Sequence, residues 1–186
     1  ATMALGSFIS ASDKFYTFAN GEKVNRHPNF RLVATGNTKG EGPTENHPTR
    51  ERLDEAIMQR YKPLIMIDYD ENLESKMLSS FKYWYSFIKQ FRIASNSLNH
   101  DDREITVKGA VTTRDVREIA STLEMGFATT NMIINADFIR AHDSEYLSKL
   151  KNELEKYYSS HGSREEKEIY IAFSEEVLKR QRVRGR

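Results

Sequence analysis

The sequence predicts an α/β segment reaching to about residue 70, followed by an all-helical remainder, and three observations carry that division. Two short apolar runs, Phe30-Arg-Leu-Val-Ala-Thr35 and Leu64-Ile-Met-Ile-Asp68, stand on either side of a stretch with helical spacing. The first is nearly continuous and bounded by Pro28 and Gly36, which suits a strand buried on both faces of a parallel sheet, and the run after Pro63 reads as a second apolar strand. From Glu71 onward the apolar residues recur only at three- and four-residue steps, the period of helices packed on one face.

Taken in order, Ala1 to Ser10 reads as the interior of an amphipathic helix with no initiator Met and no cap, so an upstream portion is expected. Lys14 to Val24 is rich in aromatics around Asn20-Gly21, a dipeptide that accepts positive φ at both centres of a type I′ turn, and predicts a β-hairpin. The strand at 30–35 stops at Gly36-Asn37-Thr38. Residues 36 to 48 then carry Gly36, Gly40, Gly42, Pro43 and Pro48 among polar residues, the composition of a surface loop. Thr49 is placed to cap a helix through Gln59 with Leu53, Ala56 and Ile57 on one face, and Pro63 prevents its continuation.

A long helix is expected from Glu71, with Leu73, Met77, Phe81, Trp84, Phe87, Ile88 and Phe91 forming a stripe read as core packing. Further helices are expected at 113–125, 131–142, 144–159 and 163–181, the first opened by a Thr112/Asp115 capping box. The last two are dense in Lys and Glu and poor in large apolar residues, so each is expected to lie on the surface or to dock by one narrow face. No internal repeat is present. The predicted division is 1–70 for the α/β portion and 71–186 for a helical subdomain with a basic tail.

Composition excludes several function classes. The chain has 186 residues, enough for one domain or one with a small appendage. It carries 28 Lys+Arg against 27 Asp+Glu, a formal net charge of +1, so no global field demands nucleic acid or an anionic membrane. With no cysteine, disulfides, thiolate chemistry and Cys-based zinc sites are all excluded. The five His residues show no metal-ligand spacing, so no metal site is expected on this chain. No apolar run approaches a membrane span, and a cytoplasmic location with no membrane partner is expected. The tail from Lys179 to Arg186 could touch phosphate backbones, but tails of this composition are commonly disordered and nucleic acid is not the expected partner.

The informative stretch runs from His27-Pro28 through Asn37-Thr38 and the Gly-bearing loop to Leu53-Asp54-Glu55-Ala56-Ile57-Met58-Gln59-Arg60-Tyr61. Asn37 would sit at the carboxyl end of a buried strand, where open α/β sheets bind ligands. Its amide offers a donor and an acceptor without a competing charge.

Over residues 27 to 70 this order and spacing resembles the AAA+ ATPases, in particular the MoxR-like branch that includes the cobaltochelatase ATPase subunit. The resemblance implies the C-terminal part of a P-loop NTPase αβα core followed by a helical lid, working as a homo-oligomeric ring that remodels a protein partner with ATP and Mg²⁺. It makes Asn37 the sensor-1 residue that aligns water, and Arg60 the arginine finger that acts on a neighbouring subunit's nucleotide, with Arg50 and Arg52 as competitors. Val111-Thr-Thr-Arg114-Asp-Val-Arg117 resembles the sensor-2 segment, with Arg114 directed at the γ-phosphate and Arg117 as the alternate. A guanidinium suits both tasks because it stays charged and bridges two phosphate oxygens.

The departures are equally plain. Tyr61 replaces the usual Phe, and Gln59 stands where Asp is common. No Gly-x-x-x-x-Gly-Lys-Ser/Thr loop and no apolar strand ending in Asp-Glu occurs, so the main ligands of ATP and Mg²⁺ are expected outside this chain, which by itself would be inactive. The rival expectation is a non-catalytic helical protein-interaction module on the same scaffold.

Overall fold

The computed structural model describes residues 15–31, 33, 35, 42, 43, 49, 51, 52, 55, 59, 65, 67–98 and 111–184. The chain divides into two compact units, one of Ala1–Met66 with Arg103–Ile105 and the other of Ile67–Asp102 with Thr106–Arg186.

In the first unit, β1 (Phe15–Thr17) and β2 (Lys23–Asn25) pair antiparallel, with Tyr16 opposite Val24. The turn differs from the expected type I′. Gly21 alone takes positive φ, at 87°, while Asn20 does not. The Gly21 N–H donates to the Phe18 carbonyl and the Phe18 N–H to the Glu22 carbonyl, at 2.9 and 2.8 Å. This five-residue connection places the left-handed residue after the turn, so only glycine is required there. Asn20 instead uses its side chain, accepting from the Glu22 N–H at 3.0 Å.

Neither the buried strand expected at 30–35 nor the second strand expected at 64–68 is found among the described residues. Phe30, Arg31, Val33, Thr35, Ile65, Ile67 and Asp68 have no strand conformation, and Val33, Ile65 and Ile67 are 83%, 73% and 86% exposed. An apolar run becomes a parallel strand only when neighbouring strands take up its backbone groups and helices cover both faces. Among the described residues no strand lies alongside either run. Of the helix expected at 49–59, Glu55 and Gln59 are helical, whereas Thr49, Glu51 and Arg52 lie outside it. The opening segment 1–10 falls outside the described residues.

The second unit is helical. Its elements are α1 (Glu71–Met77), α2 (Lys82–Ser97), α3 (Thr113–Glu124), α4 (Thr130–Ile133) running directly into a π-helical segment (Ile134–Ile139), α5 (Ser144–Tyr158) and α6 (Arg164–Arg184). Side-chain oxygens of Asp70, Thr112, Thr129 and Asp143 accept from backbone N–H groups in the first turns of α1, α3, α4 and α5. Such caps satisfy donors that helix geometry leaves free.

Two expected helices are reshaped. The long helix from Glu71 is broken at residues 78–81, where the Phe81 N–H turns back to the Leu78 carbonyl at 2.9 Å. In one straight helix Glu71 and Lys89, eighteen residues apart, would stand about 27 Å from each other; here Lys89 Nζ lies 2.9 Å from Glu71 Oε2. The break folds α1 back on α2 and buries Leu78 completely. The helix expected at 131–142 widens after Ile133, and the Arg140 N–H donates to the Asn135 carbonyl five residues back, at 3.0 Å. Across this wider turn Ile133, Ile134, Phe138 and Ile139 are all buried.

The core is aromatic. Phe138 from the π-helical segment lies 4.9 Å from Phe91 and 5.4 Å from Phe87 of α2, centroid to centroid, and Phe173 of α6 lies 5.7 Å from Phe91. Edge-to-face and tilted geometries of this kind add attraction beyond area burial. The charged helices each dock by one face: α5 buries Leu147, Leu150, Leu154 and Tyr158, and α6 buries Ile169, Ala172, Phe173 and Val177.

Candidate functional site

The first turn of α3 is built by its own sequence and anchored by a buried ion pair. Thr112 and Asp115 complete the capping box. The Asp115 carboxylate accepts from the Thr112 N–H at 2.6 Å and from its hydroxyl at 2.8 Å, while Thr112 Oγ1 accepts from the Asp115 N–H at 3.4 Å. The next residue, Thr113, donates its hydroxyl to Glu74 Oε1 at 2.7 Å.

Glu74 is fully buried, and Arg92 answers its charge with a two-pronged bond, Nη1 to Oε2 at 2.6 Å and Nη2 to Oε1 at 3.0 Å. Arg92 Nε donates to the Val111 carbonyl at 2.8 Å, and the Tyr69 ring lies 3.6 Å from the guanidinium carbon. Burial pushes the Tyr69 phenol up from its ordinary range, and the adjacent Arg92 charge opposes that shift. These bonds join α1, α2, the approach to α3 and its first turn, so the position of α3 relative to α1 and α2 is held by polar groups with their partners in place.

Arg114 follows Thr113 on the side of α3 opposite the buried Val116, Ile119 and Ala120, and Arg117 lies one turn further on. Both are exposed, and neither side chain makes a hydrogen bond or ion pair among the described residues. Helix geometry leaves the N–H groups of Thr113 and Arg114 without an intrahelical acceptor. Asp115 accepts only from the neutral Thr112 N–H and hydroxyl, so its negative charge stays on this turn. The turn presents two guanidinium groups and two backbone donors, groups that attract an anion, beside that carboxylate.

Asn37, Arg60 and Arg50 lie outside the described residues, and Arg52 is exposed. Of the predicted site residues the structure thus brings together Arg114 and Arg117. Among the described residues no group of three or more acidic, His or Cys side chains could hold a metal ion, and no helix is long and apolar enough to cross a membrane.

Sequence reading did not find two features. One is the Glu74–Arg92 pair, whose only signal is a charge at each of two positions facing the core. The other is an open groove of about 710 Å³ between the α4/π-helical stretch and α6, lined in part by Asn131, Asn135, Arg140, Glu176 and Arg180. Its signal is a four-residue repeat of polar side chains, at 131 and 135 and again at 176 and 180.

Asp137, half-buried on the π-helical segment, has its carboxyl pushed up to about 6, chiefly by burial and then by the charges of Asp115 and Glu118. Comparison with known protein families, with curated proteins and with solved structures returns no match for this chain.

Proposed function

We propose that this chain is the C-terminal part of an AAA+ ATPase of the MoxR-like kind, which couples ATP hydrolysis to remodelling of a protein partner in a ring of like subunits. The observation that carries the reading is Arg114, an exposed guanidinium with no counter-ion among the described residues, in the first turn of a capped helix anchored by Glu74 through Thr113. The motif order from His27 to Tyr61 and the helical unit from residue 71 onward support the same reading.

In this reading Arg114, with Arg117 beside it, meets the terminal phosphate of ATP from the helical lid. Asn37 orients the attacking water, and Arg60 reaches the nucleotide of the adjacent subunit and stabilises charge on the transferring phosphoryl group. Mg²⁺ and the remaining phosphate contacts need a phosphate loop and an acidic strand, which these 186 residues do not contain. The chain alone is then expected to hydrolyse no ATP.

The test is Mg²⁺-dependent ATP turnover by the chain joined to the coding sequence immediately upstream of Ala1. Turnover is expected, and Arg60→Ala should lower it on the order of 10³-fold. Arg114→Ala and Asn37→Ala should each lower it while leaving helicity unchanged. Absence of turnover, or turnover indifferent to all three substitutions, would overturn the proposal and leave the rival docking module.

A further inference from the structure

One wall of the groove beside the π-helical segment is lined by Asn131, Met132, Asn135, Ala136, Ile139 and Arg140. Glu176 and Arg180, one turn apart on α6, form the opposite wall.

The charges in this groove are unequally satisfied. Glu176 is committed within the protein: Lys179 Nζ lies 2.5 Å from one carboxylate oxygen and Asn135 Nδ2 donates to the other at 2.8 Å. Both contacts hold its carboxyl below the usual range. Arg180 gives one N–H to the Ile139 carbonyl at 2.6 Å, a neutral acceptor that leaves its charge uncancelled. The Arg140 side chain is exposed and makes no hydrogen bond or ion pair among the described residues. Met132, 55% exposed, and Ala136 supply apolar surface to the same groove.

We infer that this groove binds a peptide segment of a protein partner in which an Asp or Glu lies within one helical turn of a large apolar side chain. Arg140 and Arg180 receive the carboxylate, and Met132 with Ala136 receives the apolar group. The planar fork of arginine matches a carboxylate in two-pronged geometry, and an unbranched thioether adapts to varied apolar partners. A nucleic acid fits less well, since its affinity comes from a row of cations along evenly spaced phosphates. Here the lining mixes two guanidinium groups with Met132, Ala136, two amides and a carboxylate. The inference rests on the helical unit alone and does not depend on the nucleotide-site reading.

The test is selection of phage-displayed dodecapeptides on the full chain, followed by calorimetric titration of the selected peptides. Selected sequences should share an acidic residue three or four positions from Leu, Ile, Phe or Met. Arg140→Glu should weaken their binding about tenfold or more, and Met132→Ala more modestly, with helicity unchanged. Because Arg180 also holds the Ile139 carbonyl, Arg140→Glu carries the test independently of any folding defect in Arg180 variants. Failure to select a peptide, peptides without an acidic residue, or affinity indifferent to Arg140→Glu would overturn the inference. Binding of an oligothymidylate in place of peptides, lost in Arg140→Glu, would overturn it in favour of a nucleic-acid surface.

Discussion

The Arg92 guanidinium grips the Glu74 carboxylate at 2.6 and 3.0 Å across an interval of eighteen residues, with Glu74 wholly inaccessible and Arg92 7% exposed. Taking one partner away leaves the other charge buried and uncompensated, which costs far more than the pair itself contributes. Glu74→Ala is therefore expected to lower the unfolding free energy by about 3–5 kcal/mol. Glu74→Leu combined with Arg92→Met should restore most of it, because neither charge then remains. Urea denaturation followed by circular dichroism measures both, and a neutral Glu74→Ala would contradict the finding.

Phe138 meets Trp84, Phe87 and Phe91 at centroid distances of 6.2, 5.4 and 4.9 Å. Phe138→Ala should cost about 3–5 kcal/mol through lost transfer energy and the cavity left behind. Ile171 is 52% exposed on α6, and Ile171→Ala is expected to change stability by no more than about 0.5 kcal/mol. Thermal melts of the two variants, run side by side, separate core from surface.

Between α5 and α6, Gly162 holds φ at 86°, and a Cβ there would come within 2.8 Å of the Tyr158 ring. Gly126 has a comparable φ of 72° but open space around it. Gly126→Ala should cost about 1 kcal/mol for backbone strain alone, and Gly162→Ala about 1–2 kcal/mol more for displacing the ring. Equal losses in the two variants would show that the Tyr158 contact is inconsequential.

Asp137 supplies a pH dependence with a definite sign. Its carboxyl sits at about 6 in the folded chain against an ordinary value of 3.8. Between those values the folded state binds more protons than the unfolded state, so this group makes stability fall as pH rises through the window. The penalty is complete above about pH 6. With allowance for solvent around a half-buried group, Asp137→Asn should add about 1 kcal/mol at neutral pH and flatten the profile between pH 4 and 6. Denaturation midpoints across that range provide the check.

The helical unit was largely legible because its signals are local. Three- and four-residue spacing marked the buried face of α2, and Thr112 with Asp115 announced the start of α3 through side chains three residues apart. The break at 78–81 carried no such sign. It is paid for by contacts formed only after the chain reverses, including Lys89 with Glu71 and Arg92 with Glu74. The widened turn after Ile133 likewise answers to the need to bury Ile133, Ile134, Phe138 and Ile139 together. Val33, Ile65 and Ile67 show the opposite limit: apolar runs state a preference for burial, but a ladder requires neighbours that local sequence does not specify. At the candidate site, the place of Arg114 in the first turn followed from the cap, whereas the ion pair beneath it depended on three separate helices.

The chain has a single tryptophan, Trp84, which is 1% exposed and packed edge-on to Phe87. Its indole emission should be blue-shifted in the native protein and move to longer wavelength when α2 parts from its neighbours. That signal is blind to the hairpin of the first unit, which contains no indole. One optical channel thus reads the parting of α2 from its neighbours, and a transition seen by another probe but silent at this wavelength leaves the surroundings of Trp84 intact.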